Sequence, residues 1–383
     1  MMTPARRTFL AIATLVAAVL ARAQTDSGLL AGGRIETDAT AQLSHDSNVF
    51  LNSNQISDWD ASLDASANYT RDIAEVSSNA SLGFNSDAFA RYTSQDDVDP
   101  YAKGSLTYRP SDEAITTGSF SYARDTVANQ QLNTRTKSND LNLDGSFQDL
   151  FTGKVGYRLT GAYVDSNYLT AGYADVLDYT AGLDAVYVYS PKLTLLAGYG
   201  YGESWNRNRT LGEADAASRN SFYTVGAEGE VAPKVTGTIK VGAEHETFDR
   251  SLFNNGSTVF LSTGLNWAAA EKTTVSLNAA ENFDLTAVEQ SAKDTSFNLG
   301  ATQALDAQWG IGGSVAYIRA DYQGARQLGD RLDNTYQVEA KVSYAVTTNV
   351  TFQYSIGYDK VNSTVAFSAY DRLLTSVSVA AKF

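Results

Sequence analysis

Val350-Thr351-Phe352-Gln353-Tyr354-Ser355-Ile356-Gly357-Tyr358-Asp359 changes character at every step: Val350, Phe352, Tyr354, Ile356 and Tyr358 are apolar or aromatic, and small or polar residues lie between them. A two-residue period puts the two sets on opposite faces of a β-strand, because successive Cβ atoms alternate across it. Upstream, Tyr336, Val338, Ala340, Val342 and Tyr344 stand against Gln337, Glu339, Lys341 and Ser343, with Thr347-Thr348-Asn349 as the turn between the two runs. Each arm of this hairpin has one greasy face and one hydrophilic face. Such a hairpin needs a different solvent on each side.

The same unit recurs from Arg34 to Phe383 without a linker or a break in composition. After Ser190-Pro191-Lys192, one face reads Leu193, Leu195, Ala197, Tyr199 and Tyr201, and the other Thr194, Leu196, Gly198, Gly200 and Gly202. Short turns are expected at these two places and near Arg71-Asp72, Pro110-Ser111-Asp112, Asp149-Leu150, Ala232-Pro233-Lys234, Ala270-Glu271-Lys272 and Asp306-Ala307. Polar loops fall near 47–58, 91–98, 126–136, 167–174, 206–219, 250–256, 286–292, 323–331 and 363–366. Eight turns and nine loops connect eighteen strands. Alternation is weaker over residues 113–149, which leaves sixteen as the other count.

Gly and Ala are abundant, Leu and Ile are sparse, and the chain has 22 Tyr. Tyr and Trp settle where hydrocarbon meets headgroups, ring buried and polar tip wet. An open sheet edge in lipid would strand unpaired backbone groups, so the strands have to close on themselves. The expected fold is all-β: a transmembrane antiparallel up-and-down β-barrel over residues 34–383. An even strand count with tight turns at the end holding both termini matches the bacterial outer-membrane pattern.

The N-terminus agrees with that compartment. Arg6 and Arg7 precede an apolar run from Phe9 to Leu20 and then Ala21-Arg22-Ala23. The run is too short to span a bilayer, and its layout is that of a secretory signal peptide over residues 1–23. Residues 24–33 would form a short periplasmic segment. Losing Arg6, Arg7 and Arg22, with no acid among them, takes the formal charge from −14 to −17. A nucleic acid would be repelled. The absence of Cys excludes disulfides, thiolate metal sites and sulfur redox chemistry.

At the other end, Leu373, Thr375, Val377, Val379, Ala381 and Phe383 alternate with Leu374, Ser376, Ser378, Ala380 and Lys382. A final amphipathic strand closing on an aromatic resembles the signal read by the outer-membrane barrel assembly machinery, with Phe383 as its key residue. Near the first strand's end stands His45-Asp46-Ser47-Asn48-Val49-Phe50-Leu51. This segment, followed by alternating strands to a terminal Phe, resembles the putative β-barrel porin 2 family of outer-membrane proteins. The resemblance implies a large barrel, and some members are implicated in exopolysaccharide export beside a separate periplasmic export protein. It implies no catalytic or ligand residue.

Parity assigns the lumen its lining. Pore-lining candidates are Asp64, Asp178, Asp184, Lys240, Glu244, Asp284, Glu339, Lys341, Gln353 and Asp359; Asp60, Glu75, Asp144, Glu246 and Arg158 are expected on the same wall. An acidic wall lowers the energy of cations and raises that of anions. Barrels of this size leave an aqueous channel unless something fills them. The loops are expected to be too short to fold inward as a constriction, which leaves a wide conduit or a lumen blocked by a partner. Most Tyr fall on the lipid side as a girdle.

The resulting expectation is an outer-membrane pore, with exopolysaccharide export as its sharper form. A cation-preferring diffusion porin and a non-transporting structural or adhesive barrel are the alternatives. Its surroundings would be outer-membrane lipid and lipopolysaccharide.

Catalysis is not expected. The chain has two His, and neither His45 nor His245 has a serine at a persuasive sequence spacing. Asp96, Asp97 and Asp99 read as a solvated loop rather than a calcium site, so no metal or cofactor is expected.

Overall fold

The computed structural model describes residues 33–207, 217–248, 255–288, 290–323 and 330–383. The leader expected at 1–23 and residues 24–32 lie outside them. Eighteen strands follow one another: β1 (Arg34–Asp46), β2 (Asp58–Ile73), β3 (Val76–Phe89), β4 (Asp97–Tyr108), β5 (Ala114–Asn129) and β6 (Thr134–Leu150). Then come β7 (Val155–Tyr168), β8 (Asp175–Ser190), β9 (Leu193–Arg207), β10 (Ala217–Ala232), β11 (Val235–Phe248) and β12 (Gly256–Ala270). The last are β13 (Thr273–Leu285), β14 (Ser291–Ala304), β15 (Trp309–Gln323), β16 (Arg331–Ala345), β17 (Val350–Ser363) and β18 (Tyr370–Lys382).

Every strand pairs antiparallel with its neighbours in sequence, and β1 closes on β18. The closing register sets Leu43 against Val377 and Asp38 against Lys382. Phe383 extends it, exchanging two backbone hydrogen bonds with Thr37 at 2.9 and 2.8 Å. The sheet therefore has no free edge. No helix among the described residues is long and apolar enough to cross a membrane.

Registers carry the two-residue alternation around the ring. Tyr317 faces Tyr336 on β16, Val338 faces Tyr358 on β17, and Tyr354 faces Val377 on β18. These residues form the outer surface: Leu82 is 66 % exposed, Tyr223 64 % and Val338 53 %. In water such a surface would be untenable, because its apolar area is the contiguous band that other folds bury. Cross-strand aromatic pairs stud it, including Tyr199 with Tyr223 at 5.0 Å and Trp309 with Tyr344 at 4.8 Å.

Several boundaries depart from expectation; Asp149 and Leu150, for one, pair with Tyr157 and Gly156 instead of turning. Arg71 and Asp72 pair with Ser78 and Ser77, so the turn falls at Ala74-Glu75 instead. At a barrel rim both faces are wet, and polarity ceases to mark where a strand stops. The weakly alternating stretch over 113–149 is paired on both sides of its turn at Gln130–Asn133, with β5 and β6 among the longest strands and in register from Ala114–Asp149 to Asn129–Thr134. That settles the count at eighteen.

Candidate functional site

Nine of the ten pore-lining candidates lie on the parity opposite to the exposed apolar residues of their strands; β13, which carries Asp284, has no exposed large apolar residue. Several are tied into the wall. Lys240 Nζ meets Asp184 Oδ2 at 2.8 Å, and Tyr101 donates to Asp64 at 3.3 Å. Glu244 accepts the Phe283 backbone N–H at 3.2 Å, and Asp359 lies 3.4 Å from Arg372. Glu339 and Lys341 line a recess with Asn266, Ser276 and Asn298. Gln353 sits between Ser343 and Ser378, and Asp178 and Asp284 complete the set. Asp60, Asp144, Glu246 and Arg158 also face inward, whereas Glu75 does not: it occupies an exposed turn at the rim.

The wall holds more bases than parity suggested, and they are matched with acids. Arg158 pairs with Glu228 at 2.8 Å, Lys137 with Asp97 at 2.5 Å and Arg372 with Asp46 at 2.7 Å. Arg135 stacks over the Phe89 ring at 4.6 Å. Pairing in a lumen lowers the cost of each charge and leaves the carboxylates in excess.

The expectation that the loops are too short to enter the lumen is wrong. The tip of the β5–β6 hairpin, Gln130–Asn133, reaches over the lumen to strands far around the ring. Asn133 donates to the Leu51 carbonyl at 2.9 Å, Asn52 donates back to the Asn133 carbonyl at 3.1 Å, and the Ser368 hydroxyl donates to Asn133 Oδ1 at 2.5 Å. Gln130 donates to Thr335 Oγ1 at 2.5 Å. Arg331 fastens the tip to β16 by donating to the carbonyls of Gln131 and Gln130 at 2.6 and 3.2 Å. The same guanidinium grips Asp333 at 2.5 Å and lies over Tyr322 at 4.8 Å.

A second inturned segment joins the β5–β6 tip. Ala174 donates to the Ala287 carbonyl at 3.0 Å and Asn206 to the Thr286 carbonyl at 3.0 Å. Leu132, Val176 and Ala287 then form a small apolar cluster. Segments from opposite sides thus meet over the lumen at the long-loop end. The hairpin enters because its turn is short: Asn133 takes φ +53°, a left-handed conformation that asparagine tolerates, and Asn129 Oδ1 accepts the Leu132 N–H at 3.1 Å. Counting loop length missed this, since the inward reach comes from the strands.

The sequence segment around Asn48 belongs to the same closure. The Asn48 backbone N–H donates to Asp46 Oδ1 at 2.8 Å, and its side chain donates to the Asn52 carbonyl at 2.8 Å. Both are buried. The acids at 96–99 are likewise structural: Asp96 caps the Phe89 N–H at 2.8 Å and Asp99 accepts the Thr126 N–H at 2.7 Å.

The structure also gives His245 the serine that its sequence neighbourhood lacked. Its Nδ1 lies 2.8 Å from Ser257 Oγ across β11 and β12, on the outer face. A nucleophile needs its base oriented by a third group. Among the described residues no hydrogen bond orients the other ring nitrogen. His45 packs edge-on against Trp59 at 5.0 Å. No described group of His, Asp or Glu has the arrangement of a metal site.

Comparison with known proteins adds a family. The family described as "Putative beta-barrel porin 2" matches residues 34–383, the span of the barrel. No curated protein matches in sequence. Among solved structures, the siderophore receptor PirA from Pseudomonas aeruginosa matches with 12 % identity over 91 % of this chain and 80 % of its own, at a TM-score of 0.46. A ferric enterobactin receptor (PfeA) mutant from the same organism matches with 9 % identity over 92 % and 81 %, at 0.46. The alcaligin outer-membrane receptor FauA from Bordetella pertussis matches with 10 % identity over 91 % and 76 %, at 0.41.

Proposed function

Because the chain belongs to the putative β-barrel porin 2 family, we propose that it is an outer-membrane transport pore with a closable outer mouth, and that its cargo is a polysaccharide moving outward. The observation that carries this reading is the hairpin tip held over the lumen by Arg331. A wide polar lumen bridged by a few hydrogen-bonded segments suits a passage that opens on demand better than a permanently open sieve. The bridge is held by side-chain hydrogen bonds rather than by strand pairing, so it opens at a cost well below that of the barrel. Once open, the carboxylate excess favours cations and neutral solutes over anions.

An eighteen-strand ring is wide enough for an extended chain of sugars once its mouth is clear. With no soluble domain in residues 34–383 to engage the cargo from the periplasm, a separate periplasmic export protein would deliver it. Phe383 at the short-turn rim would hand the chain to the barrel assembly machinery, and the outer band would sit in lipid and lipopolysaccharide. No chemical step is required of the protein.

Planar-bilayer recording of the purified protein tests the pore. Small, infrequent currents that enlarge when the hairpin tip is released support the reading, and a large steady current from the unmodified protein contradicts the closed mouth. Gene deletion tests the cargo: undiminished surface polysaccharide in the mutant removes the export version while leaving the pore.

A further inference from the structure

Most of the outer girdle is aromatic, and that needs no further account. Two phenylalanines on the other face do. Phe222 on β10 pairs across the sheet with Glu244, and Phe260 on β12 with Gly242, so both occupy the inner parity of their strands. Their rings stack at 5.5 Å and 23° and remain half-exposed. An apolar ring on a water-facing wall has neither lipid nor a packed core to repay its hydration cost. The neighbouring strand makes room for the pair, since a Cβ at Gly200 would come within 1.9 Å of the Phe222 ring.

One step nearer the mouth on the same face stand Asn220 and Glu246, paired across β10 and β11. Asn220 Oδ1 and Glu246 Oε1 are both buried without a hydrogen-bond partner, and Glu246 is only 2 % exposed. A buried acceptor left without a donor is costly unless something supplies one. The wall thus offers an aromatic face beside acceptors that lack donors. Its complement is a ligand with a flat C–H face and several hydroxyl donors. A pyranose ring has both.

We propose that β10, β11 and β12 carry a saccharide subsite, with Phe222 and Phe260 as the stacking platform and Asn220 and Glu246 as hydroxyl acceptors. It deepens the reading of the lumen as a passage and rests on it. The charge at the subsite sets the sugar class. Glu244 and Glu246 flank the platform, so a uronic acid is repelled, and neutral or amine-bearing sugars are taken. Glu246 also accepts from the Ser291 hydroxyl at 2.8 Å, which ties the subsite to the first residue of β14.

Isothermal titration of the folded full chain in detergent tests the subsite with three probes: cellohexaose, a glucosamine hexamer and a galacturonate hexamer. The first two bind and the third does not. Replacing both rings, Phe222→Leu with Phe260→Leu, weakens binding of the first two by about tenfold or more, roughly the factor that a free energy of 1.4 kcal/mol commands. Phe222→Trp alone retains binding, and Asn220→Ala lowers it. Heat-modifiable gel mobility shows that each variant is folded, and the single Phe222→Leu protein serves if the double does not fold. Binding of none of the probes by the wild type, or binding by the double-leucine protein (or Phe222→Leu where it stands in) as tight as the wild type's, overturns the subsite. Conductance of the same wild-type preparation and of an Arg331→Ala protein separates the two readings. A pore that conducts yet binds no sugar loses the subsite alone, whereas folded protein that never conducts loses the passage as well.

Discussion

Arg331 donates to the carbonyl oxygen of Gln131 at 2.6 Å, joining the base of β16 to a hairpin tip that is 200 residues earlier in the chain and far around the ring. The contact is charge-assisted, and its guanidinium is anchored by Asp333, which is fully buried. One side chain thus carries both the latch and its footing.

Arg331→Ala should therefore release the tip and raise the frequency and size of single-channel currents. It also strands the buried Asp333 carboxylate, at a cost of about 3–5 kcal/mol. The double variant Arg331→Ala/Asp333→Ala removes the orphan as well as the latch, and should open the mouth with a smaller loss of thermal stability. Currents unchanged in both variants would remove Arg331 from the closure.

Alternation predicts opposite outcomes at adjacent positions. Val338→Arg puts a charge on the outer band and should cost about 2–4 kcal/mol in lipid. Gln337→Arg faces the lumen, across from Asp359, and should fold at near wild-type stability. Urea titration in lipid vesicles reads the difference. Equal costs at both positions would mean that the faces are misassigned.

This alternation is also the part of the structure that was legible in the sequence. Phe352, Tyr354 and Ile356 fixed the outer face of β17, and through the register they fix Val377 and Tyr336's neighbours as well. The ten lumen candidates are assigned to the inner wall by the same rule. Glu75 failed because at a rim both faces are wet and parity has no solvent boundary to report. The mouth was missed for a different reason. A short polar turn such as Gln130–Asn133 reads the same whether it points to solvent or across a lumen; its direction depends on Leu51, Ser368 and Arg331, which are distant in the chain. Phe222 and Phe260 were visible as wrong-parity aromatics, a signal that could have been taken from the alternation itself.

Phe383 is expected to matter for assembly more than for the folded state. It is half-exposed at the outer face and adds two backbone bonds to Thr37. Phe383→Ser should lower the amount of barrel in the outer membrane, and Phe383→Trp should preserve it, with both refolding in detergent. Equal membrane levels for Phe383→Ser and wild type would contradict an assembly role.

Selectivity should follow the wall. In an Arg331→Ala background, Asp178→Asn with Asp284→Asn removes two inward carboxylates and should shift the reversal potential in a salt gradient toward zero. A potential that does not move would place the selective step elsewhere in the lumen.

The hairpin tip bridging the mouth is tested most directly by crosslinking. The chain has no cysteine, so Asn133→Cys with Ser368→Cys introduces one pair at a side-chain contact of 2.5 Å in the native protein. Treated with the short thiol crosslinker dibromobimane in intact outer membranes, the folded double variant should give one intramolecular product in high yield, and neither single variant should give it. Folded protein in which both thiols are reactive yet never join would show that the tip lies away from the lumen, and the closed mouth would have to be abandoned.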